Sequence, residues 1–190
     1  MAATVDELTD YLTGEDPLQI ERLWQTMYRG GFYRGGGIHM SAIAGIDQAL
    51  WDIKGKYHDA PIHQLLGGQV RERIRVYAWV GGDRPSDIVS SAQRAIADGF
   101  KATKMNLTEE LQIIDSIHKI DAAVERIAHL RDAVGSALDI AVDFHGRVHV
   151  PMAKTLIHAV EPYSPLFIEE PVLSEHLDAM AELRRQTHVP

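Results

Sequence analysis

The chain has 190 residues, of which 45% are hydrophobic and 24% charged, the make-up of a globular protein with one sizeable core rather than a disordered or fibrous chain. Its net charge of −8, with no block of Lys or Arg, excludes nucleic acid and anionic membrane surfaces as expected partners. There is no cysteine, so disulfides and thiolate zinc sites are excluded too, and no apolar run approaches the ~20 residues that span a bilayer.

The amino terminus, MAATVDELTD, is acidic and lacks the basic-then-apolar order of a signal peptide, which makes a cytoplasmic protein the expectation. Val5, Leu8 and Leu12 recur at helical spacing, and Gly14 stands where such a helix would stop. Asp16-Pro17 offers a cap and a first-turn proline for a second helix, whose apolar stripe is Ile20, Leu23, Trp24, Met27 and Tyr28. RGGFYRGGG (29–37) interrupts the pattern; no G-K-[ST] follows it, so it is read as a connection and not a phosphate loop. A third helix is predicted from near Ser41, with Ile43, Ile46, Leu50 and Ile53 on one face, fading at Lys54-Gly55-Lys56.

The period changes near Glu72. RIRVYAWV (73–80) alternates like a strand. A helix is predicted from about Ser86 to Asp98 with Gly99 as its stop, then a strand at KATKMN (101–106). Ile117, Ile120, Val124, Ile127 and Val134 mark the next helix, and LDIAVDFH (138–145) the next strand. A helix from Met152 to Val160, a strand at LFIEE (166–170) and a helix around Leu177 to Leu183 complete the series. Strands alternating with helices in this way imply a parallel sheet, either an open doubly wound sheet or part of a closed barrel. The turn after the first strand, Gly81-Gly82-Asp83-Arg84-Pro85, is not G-x-G-x-x-G, so a dinucleotide is not indicated. Trp24, Trp51 and Trp79 sit in apolar patterns and are expected in the core.

The segment richest in chemistry is DIAVDFHGR (139–147). Side chains two apart on a strand share a face, so Asp143 and His145 project together at the carboxyl end, the end at which parallel α/β sheets carry their sites. FIEEP then ends the next strand with Glu169 and Glu170 ahead of Pro171. Asp143 and Glu169 on neighbouring strands suit a hard, oxygen-liking cation such as Mg²⁺. Taken singly, Asp143 fits a turn cap and the Glu pair solvated surface better than a ligand role. Lys104 and Asn106 also end a strand on a shared face, and beside a metal pair they become candidate contacts for an anionic substrate. His149 lies past the strand and is read as surface, and His118, His129 and His158 as ordinary helix residues.

SAIAGIDQALWDIKGK (41–56) with PIHQLLGG (61–68) resembles the hallmark of the enolase superfamily, in its mandelate racemase/muconate lactonizing branch. MYRGGFYRGG, VGGDRP, VDFHGRVH, PMAK, EPY and FIEEPVLSE extend the resemblance to the sugar-acid dehydratases of that branch, over essentially the whole chain. The resemblance implies an α/β fold: a partial (β/α)₈ barrel of about four βα units in residues 73–190, preceded by the helical part of a capping domain in residues 1–72. It implies Mg²⁺ held by carboxylates at successive strand ends, with Asp143 and Glu169 matching two of three ligands and His145 matching the general acid. Where racemases carry Lys-x-Lys, this chain has Lys104-Met105-Asn106, which argues for a dehydratase.

The activity so implied is loss of water from an aldonic acid, D-galactonate in the first instance and gluconate or mannonate as the alternative, to give a 2-keto-3-deoxy acid. A full barrel takes eight strands and ~250 residues, so the chain is expected to be a partial one, lacking the third metal ligand and the general base and inactive alone. A partial barrel exposes sheet edges, and either self-association as a homo-oligomer or pairing with a complementary half is expected. The contrasting expectation is a non-catalytic half-barrel that only associates with itself.

Overall fold

The computed structural model describes residues 1–82, 85–108 and 111–190; Asp83 and Arg84 of the GGDRP turn therefore lie outside the described residues. The chain divides into two compact units, Met1–Ile74 and Arg75–Pro190.

The first unit is helical: α1 (Ala2–Leu12), α2 (Ile20–Arg29), α3 (Gly37–Tyr57) and the single turn α4 (Ile62–Leu65). The stripes read from the sequence meet here. Leu8, Met27, Ala42 and Ile43 form one buried cluster, Ile20, Leu23 and Leu50 a second, and Leu12 and Ile46 pack against both. Two boundaries differ from expectation. Asp16 does not cap α2; its carboxylate accepts from the Leu18 N–H at 2.9 Å, closing a turn that delays the helix to Ile20. Helix α3 starts at Gly37, four residues before Ser41, inside the glycine-rich stretch that the sequence marks as a connection. It also runs through Gly55, which is buried with the Ala60 carbonyl oxygen 2.9 Å from where a Cβ would stand.

The second unit alternates: β1 (Ala78–Trp79), α5 (Pro85–Ala97), β2 (Ala102–Asn106), α6 (Ile117–Val134), β3 (Asp139–Asp143), α7 (Val150–Val160), a 3₁₀ turn (Glu161–Tyr163), β4 (Ile168–Glu169) and α8 (Leu177–Arg184). The sheet is parallel in the order β1-β2-β3-β4. Met105, Leu107, Ile140, Val142 and Phe144 form one core with residues of all four helices, among them Ile88, Ile127, Leu156 and Leu183. Strands in chain order with every helix on one face define a singly wound, barrel-type sheet; a doubly wound sheet reverses its order and covers both faces. The other face carries Tyr77, Trp79, Lys104, Asn106, Ala141, Asp143, Phe167 and Glu169, by alternation and register. The Tyr77 and Phe167 rings, from the segments leading into or out of the first and last strands, lie 5.9 Å apart. Four strands at ~4.8 Å spacing would hold them much further apart on a flat sheet, so the sheet curls around this face.

RIRVYAWV reads as an eight-residue strand but pairs only at Ala78 and Trp79, with Thr103 and Lys104. Trp79 is not core: it is 62% exposed, because alternation turns Ala78 and Val80 toward the helices and Tyr77 and Trp79 to the concave face. The hold of β1 on β2 is reinforced by the buried Thr103 hydroxyl, which donates to the Ala78 carbonyl at 2.8 Å. Thr103→Val keeps the shape and deletes this bond, for a loss of about 0.5–1.5 kcal/mol. Hydrogen exchange at the Val80 amide, which donates to the Lys104 carbonyl at 2.9 Å, is expected to quicken; unchanged protection would show that the hydroxyl does not hold β1.

Candidate active site at the carboxyl ends of the strands

Asp143 is the last residue of β3, and both sides of its backbone are fastened. Its carbonyl accepts from the Leu107 N–H at 3.1 Å, and the next residue's N–H, that of Phe144, donates to the Glu169 carbonyl at 3.0 Å. The ladder continues past the strands, with the Gly146 N–H donating to the Glu170 carbonyl at 2.9 Å. Register therefore sets Asn106, Asp143 and Glu169 side by side on the concave face.

The Asp143 side chain is 2% exposed, and each of its oxygens is used. Oδ1 accepts from the His145 backbone N–H at 2.7 Å, an i to i+2 turn that bends the chain immediately after the strand. Oδ2 accepts from Lys104 Nζ at 2.8 Å and lies 3.0 Å from His145 Nε2. Lys104 Nζ also reaches Glu169 Oε2 at 2.7 Å, so one ammonium bridges the two carboxylates. Burial disfavours that ammonium, but its hydrogen bonds to Asp143 and Glu169 and their charges outweigh burial and raise the lysine's pKa above its ordinary value. The Tyr77 ring centroid lies 6.0 Å from Nζ.

The turn that presents His145 is a strained one. His145 has φ +56° and Gly146 φ +61°, and Glu170, following Glu169 on the neighbouring strand, has φ +45°. Left-handed backbone at residues with a side chain is sparsely populated and concentrates at functional sites. Glu170 is exposed, whereas Glu169 is half-buried beside Lys104.

All five residues singled out from the sequence, Lys104, Asn106, Asp143, His145 and Glu169, thus lie at one end of one sheet face. Lys104 contacts both acids, a bridge that spacing alone did not indicate. Tyr77, whose ring faces Lys104 on the same face, was not singled out from the sequence; the alternation of RIRVYAWV carried the signal, but which phase faces the site depends on pairing with β2.

The donor set is made of oxygen. Two carboxylate oxygens converge on a single cationic centre, and Asn106 Oδ1, also oxygen, is buried without a hydrogen-bond partner among the described residues. This all-oxygen set fits a hard cation, which commonly takes one or two protein carboxylates and completes its shell with water and substrate oxygens. Among the described residues, no group of three or more His, Cys, Asp or Glu side chains is placed to hold a metal by itself.

Comparison with known proteins gives the same frame. A family model described as enolase C-terminal domain-like matches residues 87–190, and the mandelate racemase/muconate lactonizing enzyme N-terminal domain matches residues 1–67. The chain belongs to the mandelate racemase/muconate lactonizing enzyme family of the enolase superfamily. It is 60% identical over 188 residues to a protein of Ralstonia nicotianae named D-galactonate dehydratase, covering 99% of this chain and 49% of the relative. A Pectobacterium atrosepticum protein of the same name is 56% identical over the same shares. The chain thus spans about half the length of the curated relatives it matches. Among solved structures, a mandelate racemase/muconate lactonizing enzyme-like protein from Rubrobacter xylanophilus superposes with a TM-score of 0.88 at 32% identity, over 100% of this chain and 56% of that one. A member of the enolase superfamily from Salmonella Typhimurium gives 0.84 at 29% identity, over 99% and 55%. Among the described residues, no helix is long and apolar enough to cross a membrane.

Proposed function

We propose that this chain carries the metal-binding and acid-bearing part of a Mg²⁺-dependent sugar-acid dehydratase, with D-galactonate as substrate. Residues 1–72 correspond in this reading to the helical part of the capping domain and 73–190 to the first half of the barrel. The observation that carries it is the meeting of Asp143, Glu169 and His145 at the carboxyl edge of β3 and β4. The names of the curated relatives support the choice of substrate.

Asp143 and Glu169 would hold the Mg²⁺. When bound, the ion supplies electrostatic stabilisation of the negative charge that builds on the substrate carboxylate as the α-proton leaves. Lys104 adds positive charge on the same face and favours an anionic substrate there. His145 supplies the proton that the departing 3-hydroxyl needs, as histidine is the side chain suited to acid–base work near neutral pH, and its Nε2 lies 3.0 Å from Asp143 Oδ2, which orients the ring. Nδ1, without a partner among the described residues, is the atom left to face the substrate. The electron pair of the C2–H bond becomes the C2–C3 double bond, the C3–O bond breaks, and the oxygen leaves as water with the proton from His145. The resulting enol takes a proton at C3 and releases the proton of its 2-hydroxyl, which leaves the 2-keto group of 2-dehydro-3-deoxy-D-galactonate. None of the described residues is assigned to remove the C2 proton.

The test is a chimera in which these 190 residues replace the matched segment of the Ralstonia nicotianae relative. Mg²⁺-dependent conversion of D-galactonate is expected, with His145→Ala lowering kcat by about 10²–10⁴. Turnover indifferent to His145→Ala would remove the acid role, and faster turnover of gluconate or mannonate would reassign the substrate.

A further inference from the structure

We infer that Lys104 is a built-in counter-ion for the Asp143–Glu169 pair and that a divalent cation binds these carboxylates only by exchanging with its ammonium. The inference rests on the reading of the two acids as metal ligands and goes beyond it. Nζ lies 2.8 Å from Asp143 Oδ2 and 2.7 Å from Glu169 Oε2, so it fills the point on which both oxygens converge. The Asp143 side chain is 2% exposed and that of Lys104 14%, against 36% for Glu169, so the Asp143 carboxylate and the ammonium have little water to offset their charge and rely on each other. A divalent cation coordinated at ~2.1 Å to both oxygens would stand within about 4 Å of that ammonium, where two positive charges repel strongly in a part-buried site.

The same face offers the displaced ammonium somewhere to go. The Tyr77 ring is already 6.0 Å from Nζ, a cation–π surface reached by a small swing of a four-carbon stem. Asn106, two residues along β2 on the same face, has a buried Oδ1 with no hydrogen-bond partner among the described residues. An acceptor of this kind costs least when a donor reaches it. The bridge therefore has two settings: ammonium between the acids, or cation between the acids with the ammonium turned toward Tyr77 and Asn106.

Mg²⁺ alone is titrated by calorimetry into the 190-residue chain and into Lys104→Gln and Asp143→Asn. Removal of a competing cation is expected to tighten Mg²⁺ binding by Lys104→Gln about tenfold or more, since a hydrogen bond to a charged group carries that much. Asp143→Asn is expected to weaken it. Equal or weaker binding by Lys104→Gln, with Asp143→Asn still weakened, overturns the exchange and leaves the ligand reading standing. No effect of Asp143→Asn, or no binding by any form, overturns both. Thermal melts supply a second readout: with EDTA, Lys104→Gln is expected to melt below the parent chain, and saturating Mg²⁺ is expected to close the gap. A gap that persists in Mg²⁺ marks a merely structural lysine and overturns the exchange. If Lys104→Gln does not fold without metal, Lys104→Arg decides: its fork can hold both carboxylates, so it is expected to bind Mg²⁺ about threefold or more weakly than the parent, and tighter binding overturns the inference.

Discussion

Asp143→Asn is expected to reduce D-galactonate turnover of the chimera at least about 10³-fold, because one side chain serves several charges at once. Oδ2 faces both Lys104 at 2.8 Å and His145 at 3.0 Å, and Oδ1 holds the His145 backbone at 2.7 Å. An amide has one oxygen. Whichever way it is turned, an N–H₂ group meets a donor, either the backbone N–H that shapes the turn or the ammonium and imidazole that need an acceptor. In the proposed mechanism the site then loses a metal ligand, the oxygen that meets the His145 ring, and part of the turn that aims it. The pair Lys104–Glu169 survives, and for that reason the loss of folding stability should stay near about 1–3 kcal/mol. Steady-state kinetics across a Mg²⁺ series checks the prediction. A variant that recovers full kcat at high Mg²⁺ would limit Asp143 to metal affinity and remove its part in the chemistry.

The second large effect is structural. Phe144 stands between Asp143 and His145, is 1% exposed, and is among the largest fully buried side chains of the chain. It points into the helix-covered core with Val142 while its two neighbours point to the site. Phe144→Ala deletes a ring at the centre of that core and is expected to lower stability by about 3–5 kcal/mol, a large share of the 5–15 kcal/mol of a typical domain. Urea unfolding of the chain measures it, with Phe144→Leu as the volume-sparing control expected below about 1.5 kcal/mol. A midpoint unchanged in Phe144→Ala would mean that the core closes over the gap and that the strand tip is anchored by its backbone bonds alone.

Much of this arrangement was legible in the residues because its causes are local. Asp143 and His145 were read as neighbours by strand alternation and do meet, although His145 lies in a turn past the end of β3, and Gly14 and Gly99 follow their helices with φ of +85° and +91°. The β/α alternation and the strand-end acids followed from the same short-range rules. What escaped was set by distant partners. That Asn106 stands level with Asp143 is a matter of register between strands more than thirty residues apart, and no spacing reports it. Lys104 was read as a substrate contact, since nothing in T-K-M-N shows that its ammonium would lie between two acids on other strands. Trp79 was misplaced because an amphipathic pattern names two faces without saying which one the helices cover. The choice between a barrel-type and a doubly wound sheet likewise waited on strand order.

His145 and Glu170 close their strands with a backbone that glycine or asparagine would adopt more easily. A chain under pressure only to endure heat would drift toward those residues, and at 145 it would gain durability by discarding its imidazole. In the proposed mechanism the hinge of the turn and the source of the proton are a single position, so hardening this corner and keeping it reactive pull in opposite directions.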